Sequence, residues 1–192
     1  MLTNVMGLSR SRVVLALAIA VVALAFTGAS AQITYNAALN GPSEDPPSNS
    51  AGTGTATVEI DQVSHTIHII ADFTGLTGTS TVAHIHGPTG DPMTGTADII
   101  VPLVGFPVGS TAGTYDLVLF LNQESTYTPE FLAAHGQSAA QAEAALLQAL
   151  AEGRAYLNVH SDIYPNGEIR GFLGNSVPVE DTTWGKVKSL YR

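Results

Sequence analysis

Beyond residue 32, apolar and polar positions alternate with a period of two in short runs broken by Gly, Pro, Asn and Asp, the pattern of strands with one buried face. Ile33–Leu39 predicts a first strand. It runs into Gly41-Pro42-Ser43-Glu44-Asp45-Pro46-Pro47, whose prolines exclude a central strand. Gly54–Asp61 and His65–Phe73 predict a hairpin that turns near Asp61-Gln62-Val63-Ser64. Thr81–His86, Gly95–Leu103 and Gly113–Leu121 predict three further strands, and Ala155–His160 with Glu168–Leu173 predicts a closing hairpin around Pro165-Asn166-Gly167. About eight short strands at this spacing argue for an all-β, Greek-key sandwich or barrel.

One stretch departs from the alternation. Ala139–Glu152 is rich in Ala, Leu and Gln, and Leu146, Leu147 and Leu150 give it one apolar stripe. Ser138 with Gln141 has the form of a capping box, and Gly153 stands where a C-terminal stop belongs. These features predict one inserted helix packed on the sheet, with an added helical turn over Thr128-Pro129-Glu130-Phe131-Leu132.

The two ends have a different texture. Arg10 and Arg12 precede an apolar run from Val13 to Phe26, and Ala29-Ser30-Ala31 is an A-x-A cleavage site. Residues 1–31 therefore read as a signal peptide cleaved after Ala31. The expected location is secreted, periplasmic or cell-surface, with no transmembrane anchor once the peptide is removed. Residues 32–174 read as the domain, and 175–192 as a linker with a short amphipathic tail. In that tail Trp184, Val187, Leu190 and Tyr191 recur at helical spacing, with Lys186, Lys188 and Arg192 between them. Two readings of it stand side by side: packing on the domain, or attachment to a surface or partner.

Charge and cysteine content narrow the chemistry. The formal net charge is −9, and loss of Arg10 and Arg12 leaves five basic against sixteen acidic residues. Such a chain is repelled by phosphate backbones, so nucleic acid is not an expected partner, whereas cations, basic proteins or mineral surfaces are. There is no cysteine, so neither a disulfide nor a thiolate ligand is available. Any metal site has to be built from histidine or oxygen donors.

Thr81-Val82-Ala83-His84-Ile85-His86-Gly87-Pro88 places two imidazoles two residues apart in a strand, where i and i+2 share a face. By the same rule Tyr156, Asn158 and His160 lie opposite Leu157 and Val159. If the two strands are neighbours over one core, His84, His86 and His160 emerge together on the other face.

Read in order, several separated motifs resemble one known family. They are Ala38-Leu39-Asn40-Gly41 with Glu44-Asp45-Pro46-Pro47, then Gly52-Thr53-Gly54-Thr55-Ala56, then Ala83-His84-Ile85-His86-Gly87-Pro88. Leu157-Asn158-Val159-His160-Ser161 and Pro165-Asn166-Gly167-Glu168-Ile169-Arg170-Gly171 complete the set. This order resembles the CHRD domain, a module named for its occurrence in chordin and common in secreted bacterial proteins, over Gln32–Leu173. Asp45 departs from the pattern, standing where the family usually has a small apolar residue. The resemblance implies an immunoglobulin-like β-sandwich and a binding role, since in chordin the domain accompanies modules that bind growth factors.

Three strand-borne imidazoles predict a copper or zinc ion, for which neutral histidine is a suitable borderline ligand. Glu44 and Glu168 are candidates for a further ligand or for partners that orient an imidazole. The competing reading makes all three histidines structural, hydrogen-bonded to loop backbone and to those carboxylates. His65, His68 and His135 are read as surface or packing residues, and Glu168 and Arg170 as an ion pair. The H-x-H pair also resembles the copper ligands of Cu/Zn superoxide dismutase, but no second His and Asp cluster accompanies it. No nucleophile elbow or Ser-His-Asp arrangement is present. The reading carried forward is an exported binding module with a histidine metal site and an unknown protein or surface partner. A metal-free structural or adhesive module is the alternative, and a dismutase-like metalloenzyme ranks last.

Overall fold

A computed structural model describes residues 32–175; the signal-peptide reading of 1–31 and the tail reading beyond Asn175 lie outside the described residues. The strands are β1 (Ile33–Asn40), β2 (Thr53–Asp61), β3 (Thr66–Thr74), β4 (Ser80–His86), β5 (Ile99–Pro102), β6 (Gly113–Phe120), β7 (Tyr156–Ser161), β8 (Ile169–Phe172) and β9 (Gly174–Asn175). Between β6 and β7 lie α1 (Pro129–Ala134) and α2 (Ala139–Ala151). The protein is all-β, as the alternation predicts.

The strands hydrogen-bond in the order β5-β4-β7-β8-β1-β2-β3-β6, with β9 pairing β1 off this path. The first half is a regular antiparallel meander: β1 pairs β2 over eight positions, from Ile33↔Ile60 to Asn40↔Thr53. The second half is joined to it by a short seam, the pair Asn40↔Arg170 between β1 and β8, extended by Tyr35↔Asn175 and Asn36↔Gly174 between β1 and β9. The sheet curls, so that Val58, Ile60, Ile67 and Ile69 of one half and Ala83, Ile85, Leu157 and Val159 of the other are buried in one hydrophobic cluster. Each of these side chains is at most 0% exposed, and fully burying one aliphatic side chain stabilises by about 1.5–3 kcal/mol. Layering of two apolar faces thus coexists with continuous hydrogen bonding. At the far margin, Ser80 N donates to Ser110 O (2.9 Å) and Gly109 N to Ser80 O (2.7 Å), tying the start of β4 to the segment before β6.

Two local expectations need correction, and one element was not expected. The strand predicted over Gly95–Leu103 is confined to Ile99–Pro102, because Gly95 takes a φ of +80° that no strand accommodates. The predicted capping box does not form: Ser138 occupies the N-cap of α2, but its hydroxyl makes no capping bond. β9 was not anticipated, being a two-residue pairing too short for any alternation to register. The helix itself lies where predicted, with Leu146 and Leu150 buried, and Gly153 terminates it at a φ of +65°.

Candidate metal centre

β4 and β7 are adjacent and antiparallel, with Val82↔His160, His84↔Asn158 and His86↔Tyr156 as partners. Directly opposed residues share a face. Ala83, Ile85, Leu157 and Val159 therefore take the core side, and His84, His86 and His160 stand together on the outer side. One ring nitrogen from each of the three lies within 4.8 Å of the other two, a spacing at which the trio can hold a metal ion. Ring centroids are 5.5 Å apart for His84 and His86 and 5.0 Å for His84 and His160.

Two backbone carbonyls orient the rings. His86 Nδ1 lies 3.0 Å from Ala97 O, and His160 Nδ1 lies 3.0 Å from Pro165 O. A carbonyl only accepts, so each Nδ1 carries the proton and each Nε2 presents a lone pair. His84 Nδ1 lies 3.3 Å from His160 Nε2 and, by the same logic, donates to it. His86 Nε2 is buried and has no partner. Burial pushes the His84 imidazole down to about 4, and neighbouring His160 and His86 push in the same direction. His86 is also pushed down to about 4 by burial, which outweighs the bond to Ala97. His160 is lowered by burial as well. Neutral imidazole is the ligating form, so the lowered values favour ligation at neutral pH, and an ion would displace the proton that His84 Nδ1 shares with His160 Nε2.

The outer face of β7 is covered, which the alternation did not foretell: Tyr156, Asn158 and His160 are all buried. The cover is Arg170, the neighbour of Asn158 on β8, together with the loop that follows β1. The Arg170 guanidinium donates to Ser43 O through Nε and to Gly95 O (3.0 Å) through Nη1. It stacks 4.8 Å from the centre of the Tyr156 ring. Tyr156 in turn lies parallel to His86, and its hydroxyl is 3.3 Å from Ala97 N. Sequence reasoning placed Tyr156 and Asn158 on the histidine face without giving them a role. Their parity with His160 was the available signal.

The two glutamates part company. Glu44 reaches the outer face, with Oε2 at 3.5 Å from Asn158 Nδ2 and 3.9 Å from Arg170 Nε. Burial pushes its carboxyl up to about 7 against the opposing pull of Arg170 and Asn158. Glu168 is fully buried and accepts from Ser50 Oγ (2.5 Å), Thr77 N and Gly78 N (3.2 Å). Burial alone would raise its carboxyl, but the bonds from Ser161, Ser50, Thr77 and Gly78 prevail and hold it below the usual range. Arg170 has Glu44, not Glu168, as its nearest carboxylate, so the expected Glu168–Arg170 pair is replaced by these two separate arrangements. His65 contacts Glu143 (2.9 Å), His68 contacts Glu59 (3.2 Å) and Asp116 (2.8 Å), and His135 contacts Phe131 O (2.7 Å). None of the three belongs to the cluster.

A family model described as the CHRD domain matches residues 35–173. No curated protein and no solved structure matches the chain. The matched span contains both glutamates and all three clustered histidines.

Proposed function

The chain belongs to the CHRD domain family, and from that premise we propose that it is an exported binding module carrying a mononuclear copper or zinc site at His84, His86 and His160. The observation that carries the metal reading is the lone pair of His86 Nε2, buried without a partner beside two further imidazoles. An unsatisfied buried acceptor costs about 1–3 kcal/mol, and a bound cation removes that cost. The carbonyls of Ala97 and Pro165 act as the outer partners that fix ligand tautomers in metalloproteins. Three nitrogen donors without a thiolate or a carboxylate suit Cu or Zn, and three protein ligands leave a coordination position open.

Export rests on Arg10, Arg12, the run from Val13 to Phe26 and the Ala29-Ser30-Ala31 site. Among the described residues, no helix is long and apolar enough to cross a membrane.

The test uses untagged protein recovered from the medium or periplasm of an expressing bacterium. It is exposed to Cu and to Zn, dialysed, and compared with a His84→Ala/His160→Ala variant by mass spectrometry. About one ion per chain in the wild type only, with a mature N-terminus at Gln32, is the expected result. Equal metal content and equal thermal stability in the two proteins would leave a metal-free interaction module as the better reading.

A further inference from the structure

Three buried side-chain atoms lack a hydrogen-bond partner among the described residues: Glu44 Oε1, His86 Nε2 and Asn158 Oδ1. All three fall in one patch. Asn158 stands directly opposite His84, and its strand neighbours on the same face are Tyr156 and His160, so it stands beside the histidine cluster. Opposed residues place their Cβ atoms roughly 5 Å apart. Glu44 leans onto Asn158 from the covering loop. Two clefts of about 330 Å³ each open beside the patch, one lined by Glu44, Pro165 and Gly167, the other by His86, Asp98 and Glu130.

The chemistry of the three orphans is one-sided. His86 Nε2 is an acceptor because Nδ1 carries the proton, and the other two are oxygens of a carboxylate and an amide. A patch of buried acceptors is complete only when it meets a cation or proton donors. The imidazoles account for a cation. They do not account for the oxygens of Glu44 and Asn158, and Arg170, whose Nε and Nη1 donate to the backbone of Ser43 and Gly95, approaches Glu44 at 3.9 Å, from Nε to Oε2.

We propose that the ion held by the three histidines keeps a fourth, exchangeable ligand bearing an O–H, and that Asn158 Oδ1 and Glu44 Oε1 receive its hydrogen bonds. The ligand class is water or another small hydroxylic molecule. The inference rests on the metal reading above and adds to it a place for a guest and two residues that position it.

The test uses the recovered protein and its Glu44→Gln variant, each loaded with Cu(II) after metal content has been measured. Pulsed EPR in D2O is expected to show exchangeable deuterons at ligand distance in the wild type. In Glu44→Gln the copper stays, but the pH at which the copper spectrum changes moves by about one unit or more, a tenfold change in acidity. Bound copper without exchangeable deuterons overturns the proposal, as does the same spectral pH dependence in both proteins or none in either. Absence of copper from both proteins refutes the metal reading itself, and this inference falls with it.

Discussion

The rings of His86 and Tyr156 lie 4.9 Å apart and 3° from parallel, and both side chains bond to the backbone of one residue, Ala97. Tyr156 thus holds the imidazole plane and steadies the carbonyl that sets its tautomer. Tyr156→Phe keeps the stack and loses the two hydrogen bonds of the hydroxyl with Ala97, so it should cost about 1–2 kcal/mol with little change in metal affinity. Tyr156→Leu loses the stack and should weaken metal binding by about 10–100-fold, the usual effect of removing a partner that orients a ligand. Urea unfolding and competitive metal titration on the two variants read these outcomes separately.

Acid should destabilise the metal-free protein through its histidines. His84 and His86 are held down to about 4 in the folded chain against an ordinary value of 6.5. Between those values the unfolded chain binds more protons than the folded one, so stability falls as pH falls through that window. Glu44 works in the opposite direction: its carboxyl is raised from 4.5 to about 7, so its contribution weakens as pH rises through that range. A Glu44→Gln protein should therefore lose stability more steeply than the wild type between pH 7 and pH 5. Urea midpoints of both proteins across this range give the answer, and equal slopes would contradict the assignment.

Gly167 is placed where no side chain fits. Its φ is +133°, and an added Cβ would lie 2.5 Å from Asn158 Nδ2 and 2.8 Å from Glu44 Oε2. Gly167→Ala therefore combines backbone strain of about 1–3 kcal/mol with displacement of the Glu44–Asn158 pair. Calorimetry should show a lower Tm. Gly90, where an added Cβ meets nothing within 4 Å, supplies a control that should change little.

Glu168 should matter for stability and not for metal. Its carboxylate accepts from two backbone amides and Ser50, and hydrogen bonds to a charged group contribute about 1.5–3 kcal/mol each. Glu168→Gln replaces one acceptor oxygen by a donor facing those donors, and should cost about 2–4 kcal/mol. Metal stoichiometry should stay at the wild-type level. Loss of the ion from a folded Glu168→Gln protein would return Glu168 to the ligand set.

Much of this was legible because strand parity is a local rule. Ala83, Ile85, Leu157 and Val159 announced the core side of β4 and β7, and the face bearing His84, His86 and His160 followed once the two strands proved to be neighbours. The cover over that face was not legible. It depends on Arg170 reaching the carbonyls of Ser43 and Gly95, contacts spanning 127 and 75 residues that no periodicity encodes. Glu168 misled for a related reason: Gly167 at φ +133° precedes it, so strand alternation with Arg170 does not extend back to it.

His84 and His160 are 76 residues apart in the chain and 3.3 Å apart across the β4–β7 pair. An ion shared between them is a cross-link, closing a loop that contains β5, β6 and both helices. Chain-entropy reasoning assigns a clip of that span about 4.5 kcal/mol, as much as a disulfide across the same residues would contribute. In a protein without cysteine, the ion would take over the task that oxidised thiols perform in many exported domains, with the difference that it can be added or withdrawn after the chain has folded.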